Sequence, residues 1–200
     1  MNKKRILFCA VVLACNVVYG EDGPKQLIMK KDSLLKNAIS SYDKLSTPAA
    51  RENVATVINS IFNFSKMGQR ALPKPVWDAA DSAQRAAFTF QFTRMIQASS
   101  IKKLEVYQSD SVFYDLPESG DHDATVSAIV WYKGRQTKML YKMTKNNAAW
   151  TVWDLIINDL STVRNYREQF KTILDTKSLS DLIEILKKKA DSYESKPNDS

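Results

Sequence analysis

The segment from Trp150 to Phe170 constrains the fold most, because it places a strand, a tight corner and a helix in direct succession. Its first eight residues are mostly β-branched or aromatic, which is typical of a buried strand. Asn158 and Asp159 tolerate turn dihedrals, so the strand should end there, and Ser161 is well placed to cap the following helix. Apolar residues on that helix recur every three or four positions. We therefore predict that the helix packs back onto the strand.

Hydrophobic periodicity predicts helices in the first half of the chain and mainly strands in the second. The predicted helices cover residues 24–45, a segment after Thr47, and residues 78–99, 161–174 and 178–193. The predicted strands cover residues 104–114, 124–132, 136–143 and 150–158. Hairpin-length turns separate the middle strands, so most neighbours in the sheet should be antiparallel. We predict an α+β fold in which helices pack on one mostly antiparallel, four-stranded sheet.

The N-terminus has the pattern of an export signal. Three basic residues at positions 3–5 precede an apolar run to Ala14, and small residues lie shortly before and at Gly20. The apolar run is shorter than the about 20 residues needed to span a bilayer. We predict a signal peptide over residues 1–20, cleaved after Gly20. A rival interpretation treats Cys15 as the acylated first residue of a lipoprotein.

The rest of the chain is expected to form one domain over residues 21–193, followed by a polar, disordered tail over residues 194–200. Removing residues 1–20 takes away three positive charges and no negative ones, so the net charge falls from +7 to +4. Both cysteines lie in the removed segment, which leaves no disulfide. A modest positive charge on an exported chain disfavours nucleic acid as a partner. It favours approach to anionic headgroups, an attraction that salt would screen.

Few residues suggest catalysis or metal binding. His122 lies between two aspartates, but neighbouring turn residues rarely converge on one ion, so we expect a solvated loop and no metal. Asp154 lies in an apolar strand, where an unpaired carboxylate is costly. We expect it to pair with Arg167; the alternative is a buried general base. No glycine-rich phosphate loop or nucleophile motif is present, so we predict neither an enzyme nor a cofactor.

The predicted sheet is apolar on nearly both faces. Val126, Ala128 and Val130 alternate with Ile129 and Trp131, which are apolar as well. A sheet with helices on one side needs only one apolar face. Either terminal helices cover the second face or apolar surface lines a cavity, and the composition leaves both open.

Two spaced motifs resemble the MlaC-type proteins, also called the toluene-tolerance auxiliary family. The first motif consists of Trp150, Asp154, Ser161, Asn165, Tyr166, Arg167 and Phe170. The second consists of Trp77, Gln84, Arg85, Phe88 and Phe92. The chain departs from that pattern at Asp159, where the family commonly has glycine, and at Leu72-Pro73, where Leu-Gly is usual.

The resemblance implies an NTF2-like fold with a curved sheet and helices that enclose an apolar pocket. It also implies a periplasmic carrier whose cargo is one glycerophospholipid. Such carriers exchange lipid between an outer-membrane lipoprotein–porin complex and an inner-membrane ABC transporter with MCE domains, which bears on outer-membrane lipid asymmetry. Two acyl chains of about 16 carbons cost on the order of 25 kcal/mol if exposed to water. An apolar pocket removes this barrier without acid, base or metal.

We expect the pocket to lie between the helix over residues 78–99 and the sheet. The lining residues predicted from periodicity are Phe88, Phe92, Ile96, Val112, Val130, Leu140 and Trp153. The residues expected to have structural roles in the motifs are Trp77, Asp154, Ser161 and Arg167. The alternative function is a small periplasmic NTF2-like enzyme with Asp154 as general base.

Overall fold

A computed structural model describes residues 23–39, 48–101, 109–146 and 149–195. The helices of these ranges are α1 (Pro24–Ile39), α2 (Pro48–Asn59), α3 (Phe64–Ala71), α4 (Lys74–Ala79), α5 (Ser82–Ile101), α6 (Thr162–Leu174) and α7 (Leu179–Glu194). The strands are β1 (Ser111–Tyr114), β2 (Glu118–Ser119), β3 (Asp123–Tyr132), β4 (Arg135–Asn146), β5 (Ala149–Ile157) and β6 (Leu160–Ser161). The predicted signal peptide, Cys15 and the start of the first predicted strand lie outside the described residues.

The strands form one antiparallel sheet in the order β1-β3-β4-β5-β6, with β2 paired to β3. The predicted α+β fold is confirmed. The four predicted strands are all present, and the sheet gains β2 and β6, which have two residues each. Strands this short cannot show an alternating pattern, so periodicity did not predict them.

Two tight turns set the register of the hairpins. Lys133 and Gly134 both have positive φ, as do Asn158 and Asp159. Positive φ at both central residues is the requirement of a type I′ turn, whose twist matches that of the flanking strands. Asp159 has φ 65°, which accounts for the glycine that the resembled family commonly has at this position.

The long helix predicted over residues 78–99 is present as α5, but it begins at Ser82, and Asp78 and Ala79 belong to the separate helix α4. Asp81 separates the two helices: its carboxylate accepts from the backbone N–H of Gln84, and the Gln84 side chain accepts from the N–H of Asp81. This reciprocal capping box starts α5 anew at Ser82. The helix α5 then packs mainly against α7, α3 and α2.

Candidate functional site

The corner between β5 and α6 is held by a buried carboxylate. Asp154 is 3% exposed, and its Oδ2 accepts from the Ser161 hydroxyl at 2.7 Å. Its Oδ1 accepts from the backbone N–H of Val163 at 3.0 Å. Ser161 is the N-cap of α6, as its sequence predicts, because its Oγ accepts from the N–H of Arg164. Strand, corner and helix are thus fastened by hydrogen bonds to a charged group, which are among the stronger kind.

The predicted ion pair between Asp154 and Arg167 is wrong. The guanidinium of Arg167 donates instead to the backbone carbonyl of Arg70, with Nε at 2.8 Å. The Asp154 carboxylate needs no cation, because a hydroxyl and an N–H at the start of a helix already stabilise its charge. Arg167 therefore ties α6 to α3, and this geometry supports a structural role for Asp154 rather than that of a general base.

Three of the seven predicted lining residues lie in a core made mainly of helices. Phe88 and Phe92 are fully buried, and their rings stack with centroids 5.8 Å apart. Phe170 of α6 meets both rings edge-on at 5.7 and 5.9 Å. Ile96 belongs to the same cluster. We call this cluster of buried residues from α3, α5, α6 and α7 the helical core. The assignment of these three residues to a lipid stays a prediction.

Two other predicted lining residues, Val112 and Val130, face each other across β1 and β3. They belong to an apolar group that we call the strand cluster, since every member comes from a strand. The strand cluster consists of Ala128, Val130 and Met139, with Val112, Tyr114, Tyr141 and Ile157 packed against them. Strand register places these side chains on one face of the sheet, in line with the buried Val126 and Met143.

The last two predicted lining residues do not join the strand cluster. Leu140 pairs with Ser127 and Ile156, which alternation puts on the opposite face of the sheet. Trp153 is the extra residue of a β-bulge, because Met143 pairs with Val152 while Lys142 pairs with Asp154. Bulges change the direction of a side chain, and Trp153 packs against the helical core instead.

The Trp153 ring is surrounded by cations. The Arg70 guanidinium carbon lies 5.3 Å from the ring centroid, and the Nζ atoms of Lys66 and Lys142 lie at 5.7 and 5.8 Å. A cleft of about 550 Å³ opens beside this group and is lined by Arg70, Lys142 and Trp153 among others. A second cleft of about 460 Å³ is also lined by Arg70, and by Lys66, Trp77 and Arg167 among others.

Comparison with known families identifies the chain. The family model for "MlaC protein" matches residues 32–188. The chain belongs to the MlaC family.

Comparison with solved structures finds a protein with the same fold. The phospholipid-binding protein of Ralstonia solanacearum, solved in complex with a phospholipid, matches with a TM-score of 0.70 at 17% identity. The match covers 84% of this chain and 96% of that one. A search of curated proteins finds no match.

The two motifs that resemble the MlaC family occupy structural positions in this member. In the second motif, the Arg85 guanidinium stacks on Trp77 at 5.4 Å while its Nε donates to the Trp77 carbonyl at 2.9 Å. This pair joins α4 to α5. The first motif forms the β5–α6 corner. Both therefore hold the helices that build the helical core.

Sequence reasoning missed Lys66, Arg70 and Lys142. The spacing of Lys66 and Arg70 by four residues puts both on one side of α3 and could have been noticed. The contact between Lys142 and the Trp153 ring depends on the bulge in β5, which has no pattern in the sequence. His122 is exposed, and its carbonyl accepts from Thr144 and Lys145. Within the described ranges no cluster of metal-ligating side chains is present and no helix is long and apolar enough to cross a bilayer.

Proposed function

We propose that this protein binds one glycerophospholipid and carries it through the periplasm between an outer-membrane complex and an inner-membrane ABC transporter with MCE domains. The observation that carries the proposal is the shared fold with a protein solved with a phospholipid bound, over 84% of this chain. Membership in the MlaC family and the signal-like N-terminus support the same function and location. The outer- and inner-membrane partners follow from the family resemblance.

The strand cluster is the part of the molecule best suited to acyl chains. Its described members all come from strands, and the set includes the small Ala128 and the flexible Met139. The helical core, by contrast, is filled by interlocked aromatic rings. Along β3, the five residues from Ala124 to Ala128 are separated by four steps and span about 13 Å. That length is close to half of the about 30 Å hydrocarbon thickness of a bilayer, which is the depth of one acyl layer.

Lipid transfer needs no chemistry in this scheme. Moving two acyl chains from bilayer to protein exchanges one apolar environment for another, whereas exposing them to water costs on the order of 25 kcal/mol. The protein lowers the barrier by keeping the chains out of water throughout. The competing hypothesis of an enzyme with Asp154 as its base gains no support from the corner geometry, where both carboxylate oxygens accept structural hydrogen bonds.

The test is native mass spectrometry of the exported protein purified without detergent, followed by extraction of the lipid. We expect an added mass that matches one diacyl phospholipid. A chain that carries no lipid and takes none from vesicles would falsify the proposal.

A matched pair of variants locates the site. Val130→Trp inserts a large ring among the strand cluster and should reduce lipid uptake about tenfold by overfilling the acyl site. Ile129→Trp is the control, because Ile129 is the adjacent residue and its side chain lies on the opposite face beside the exposed Phe113. Equal uptake by both variants would show that the acyl chains do not bind at the strand cluster.

A further inference from the structure

The cleft of about 460 Å³ is lined by more positive than negative charge. Its cationic lining residues are Lys66, Arg70, Lys74 and Arg167, and its one carboxylate among the described residues is that of Asp78. Four positive charges and one negative charge leave a formal charge of +3. Asp78 pairs with Lys74 at 2.6 Å, so the excess charge belongs to the other three cations. We call this site the basic cleft, and its charge favours an anionic ligand.

The protein does little to neutralise the three remaining cations. Lys66 lies 3.9 Å from the Asp123 carboxylate, which is 76% exposed, so the pair is weak. Within the part of the chain that the structure describes, Arg70 and Arg167 have no carboxylate at ion-pair distance. The basic cleft therefore keeps its attraction for an anion that comes from another molecule.

Both arginines of the basic cleft are held in place before any ligand binds. The Arg70 guanidinium carbon lies 5.3 Å from the centroid of the Trp153 ring. Arg167 donates from Nε to the backbone carbonyl of Arg70 at 2.8 Å, an uncharged acceptor that leaves the guanidinium charge in place. A guanidinium presents a planar fork of N–H donors to a carboxylate or phosphate, and a positioned side chain loses little rotamer freedom on binding. The site is therefore suited to discrete anionic groups.

The shape of the basic cleft favours a polypeptide over a membrane surface. Its cations come from α3, α4 and α6, so a ligand that meets them all carries several anionic groups. The site is concave, so a protruding chain reaches its floor and the plane of bilayer headgroups does not. Tryptophans that anchor a protein in a bilayer place their rings among the headgroups. Here the Trp77 ring carries the Arg85 guanidinium at 5.4 Å, as the Trp153 ring carries Arg70.

We propose that the basic cleft binds an acidic segment of a partner protein, whose Asp or Glu carboxylates pair with Arg70, Arg167 and Lys66. None of the described residues that line the cleft belongs to a strand, whereas the strand cluster lies within the sheet. A partner can therefore dock whatever the strand cluster contains. Complementary charge mainly raises the association rate and fixes the orientation of a complex. The inference goes beyond the proposed function, because it names the chemistry of a docking partner and does not depend on the cargo.

The experiment measures binding of a fluorescent synthetic peptide in which glutamate and serine alternate. The exported protein is titrated into this peptide, and into one with glutamine in place of glutamate, while fluorescence anisotropy is recorded. We expect the glutamate peptide to bind and the glutamine peptide not to bind. Raising the NaCl concentration from about 0.1 M to about 1 M should weaken binding, because the Debye length falls from about 10 Å to about 3 Å. Equal binding of the two peptides overturns the proposal.

A matched pair of double variants locates the peptide. Lys66→Gln with Arg70→Gln should weaken binding about tenfold, the combined effect of two partly exposed charge pairs. Lys188→Gln with Lys189→Gln is the control, because it removes the same charge from exposed residues of α7 that do not line the cleft. The control should bind as wild type. Circular dichroism checks that each variant is folded, and if the first is not, Arg70→Gln alone should weaken binding about threefold.

The remaining outcomes each count against the proposal. Equal losses in the two double variants assign the attraction to net charge and overturn the site. No binding of the glutamate peptide by wild-type protein overturns it as well. Sedimentation with phosphatidylglycerol vesicles tests the membrane: vesicle binding that depends on Lys66 and Arg70, without peptide binding, assigns the cleft to a membrane surface. Lipid uptake from vesicles is measured in parallel, and its absence in wild-type protein overturns the carrier and leaves the docking site intact.

Discussion

The helical core and the strand cluster are both apolar and buried, yet they are built from different residues. The helical core interlocks Phe88, Phe92 and Phe170 in one stacked and two edge-on contacts, with Tyr166 against them. The strand cluster has Ala128, aliphatic side chains and a methionine at its centre. Interlocked rings resist displacement, whereas small and flexible side chains can yield to a guest. The helical core therefore stabilises the fold, and the strand cluster is the region that we propose for the cargo.

The largest loss of stability should come from truncating a buried side chain of the helical core. Phe92→Ala removes a fully buried ring that contacts Phe88, Tyr166 and Phe170. We expect the free energy of unfolding to fall by about 3–5 kcal/mol, measured by urea denaturation. The lipid bound per folded molecule should stay unchanged, because the acyl site that we propose is the strand cluster.

Phe90→Ala is the matched control for Phe92→Ala. Phe90 lies on the same helix but is 61% exposed, with only the Arg94 guanidinium over its ring at 6.0 Å. Its removal should cost less than about 1 kcal/mol. If Phe92→Ala abolishes lipid binding in protein that is still folded, the helical core contributes to the lipid site and the division into two regions fails.

The helical core was the more predictable of the two regions. Apolar residues at three- and four-residue spacing predicted a buried face on each of these helices, and Phe88, Phe92 and Phe170 are indeed buried. The same spacing cannot tell whether a buried face packs against protein or against a ligand, which is why Phe88, Phe92 and Val130 were predicted as one pocket. In the structure, Phe88 and Phe92 lie in the helical core and Val130 lies in the strand cluster. This division depends on strand register and on the packing of α5, which are tertiary properties.

A second, intermediate effect concerns the corner that connects the sheet to the helices. Asp154→Ala leaves the N–H of Val163 without its buried acceptor and removes the Ser161 hydroxyl contact. We expect a loss of about 1–3 kcal/mol in unfolding free energy. Asp159→Asn is the control, because that carboxylate is 83% exposed in the same corner and asparagine keeps the tolerance for positive φ.

The Asp154 variants also address the enzymatic alternative. A carrier that contains Asp154→Asn should still take up lipid from vesicles whenever it is folded. The enzymatic alternative requires two results. The wild-type protein would have to convert the lipid chemically, and the Asp154→Asn variant would have to lose that activity while it keeps wild-type stability.

The parts of the site that sequence reasoning could not predict depend on local features of the backbone, such as a helix cap or a β-bulge. The capping box at Asp81 was readable as an Asp three residues before a Gln, but the continuous apolar face across it favoured one long helix. The bulge at Trp153 has no such pattern, and the group of cations around that ring follows from it. Arg167 was paired with Asp154 because sequence proximity suggested it, while its actual acceptor, the Arg70 carbonyl, is distant in sequence.

The smallest effect should be a dependence on pH of the stability contributed by the contact between α5 and α7. Arg94 of α5 bonds to Asp191 and Glu194 of α7. The hydrogen bond from Arg94, and next that from Lys187, hold the pKa of Asp191 below its usual value. A carboxyl whose folded pKa is lower than its unfolded pKa of about 4 stabilises the fold above that pH. The contribution is lost as the pH falls through the folded value, and it is small because the group is exposed to solvent.

Arg94→Gln should therefore raise the pKa of Asp191 towards its usual value, measured by NMR titration of the side-chain carboxyl. The internal control is Asp181, whose pKa is lowered by hydrogen bonds from Ser178 in the capping box of α7 and should not respond. Lipid uptake at neutral pH should be unaffected, because the substituted pair lies in the helical region. If Asp191 titrates identically in both proteins, the contact between α5 and α7 does not depend on this charge.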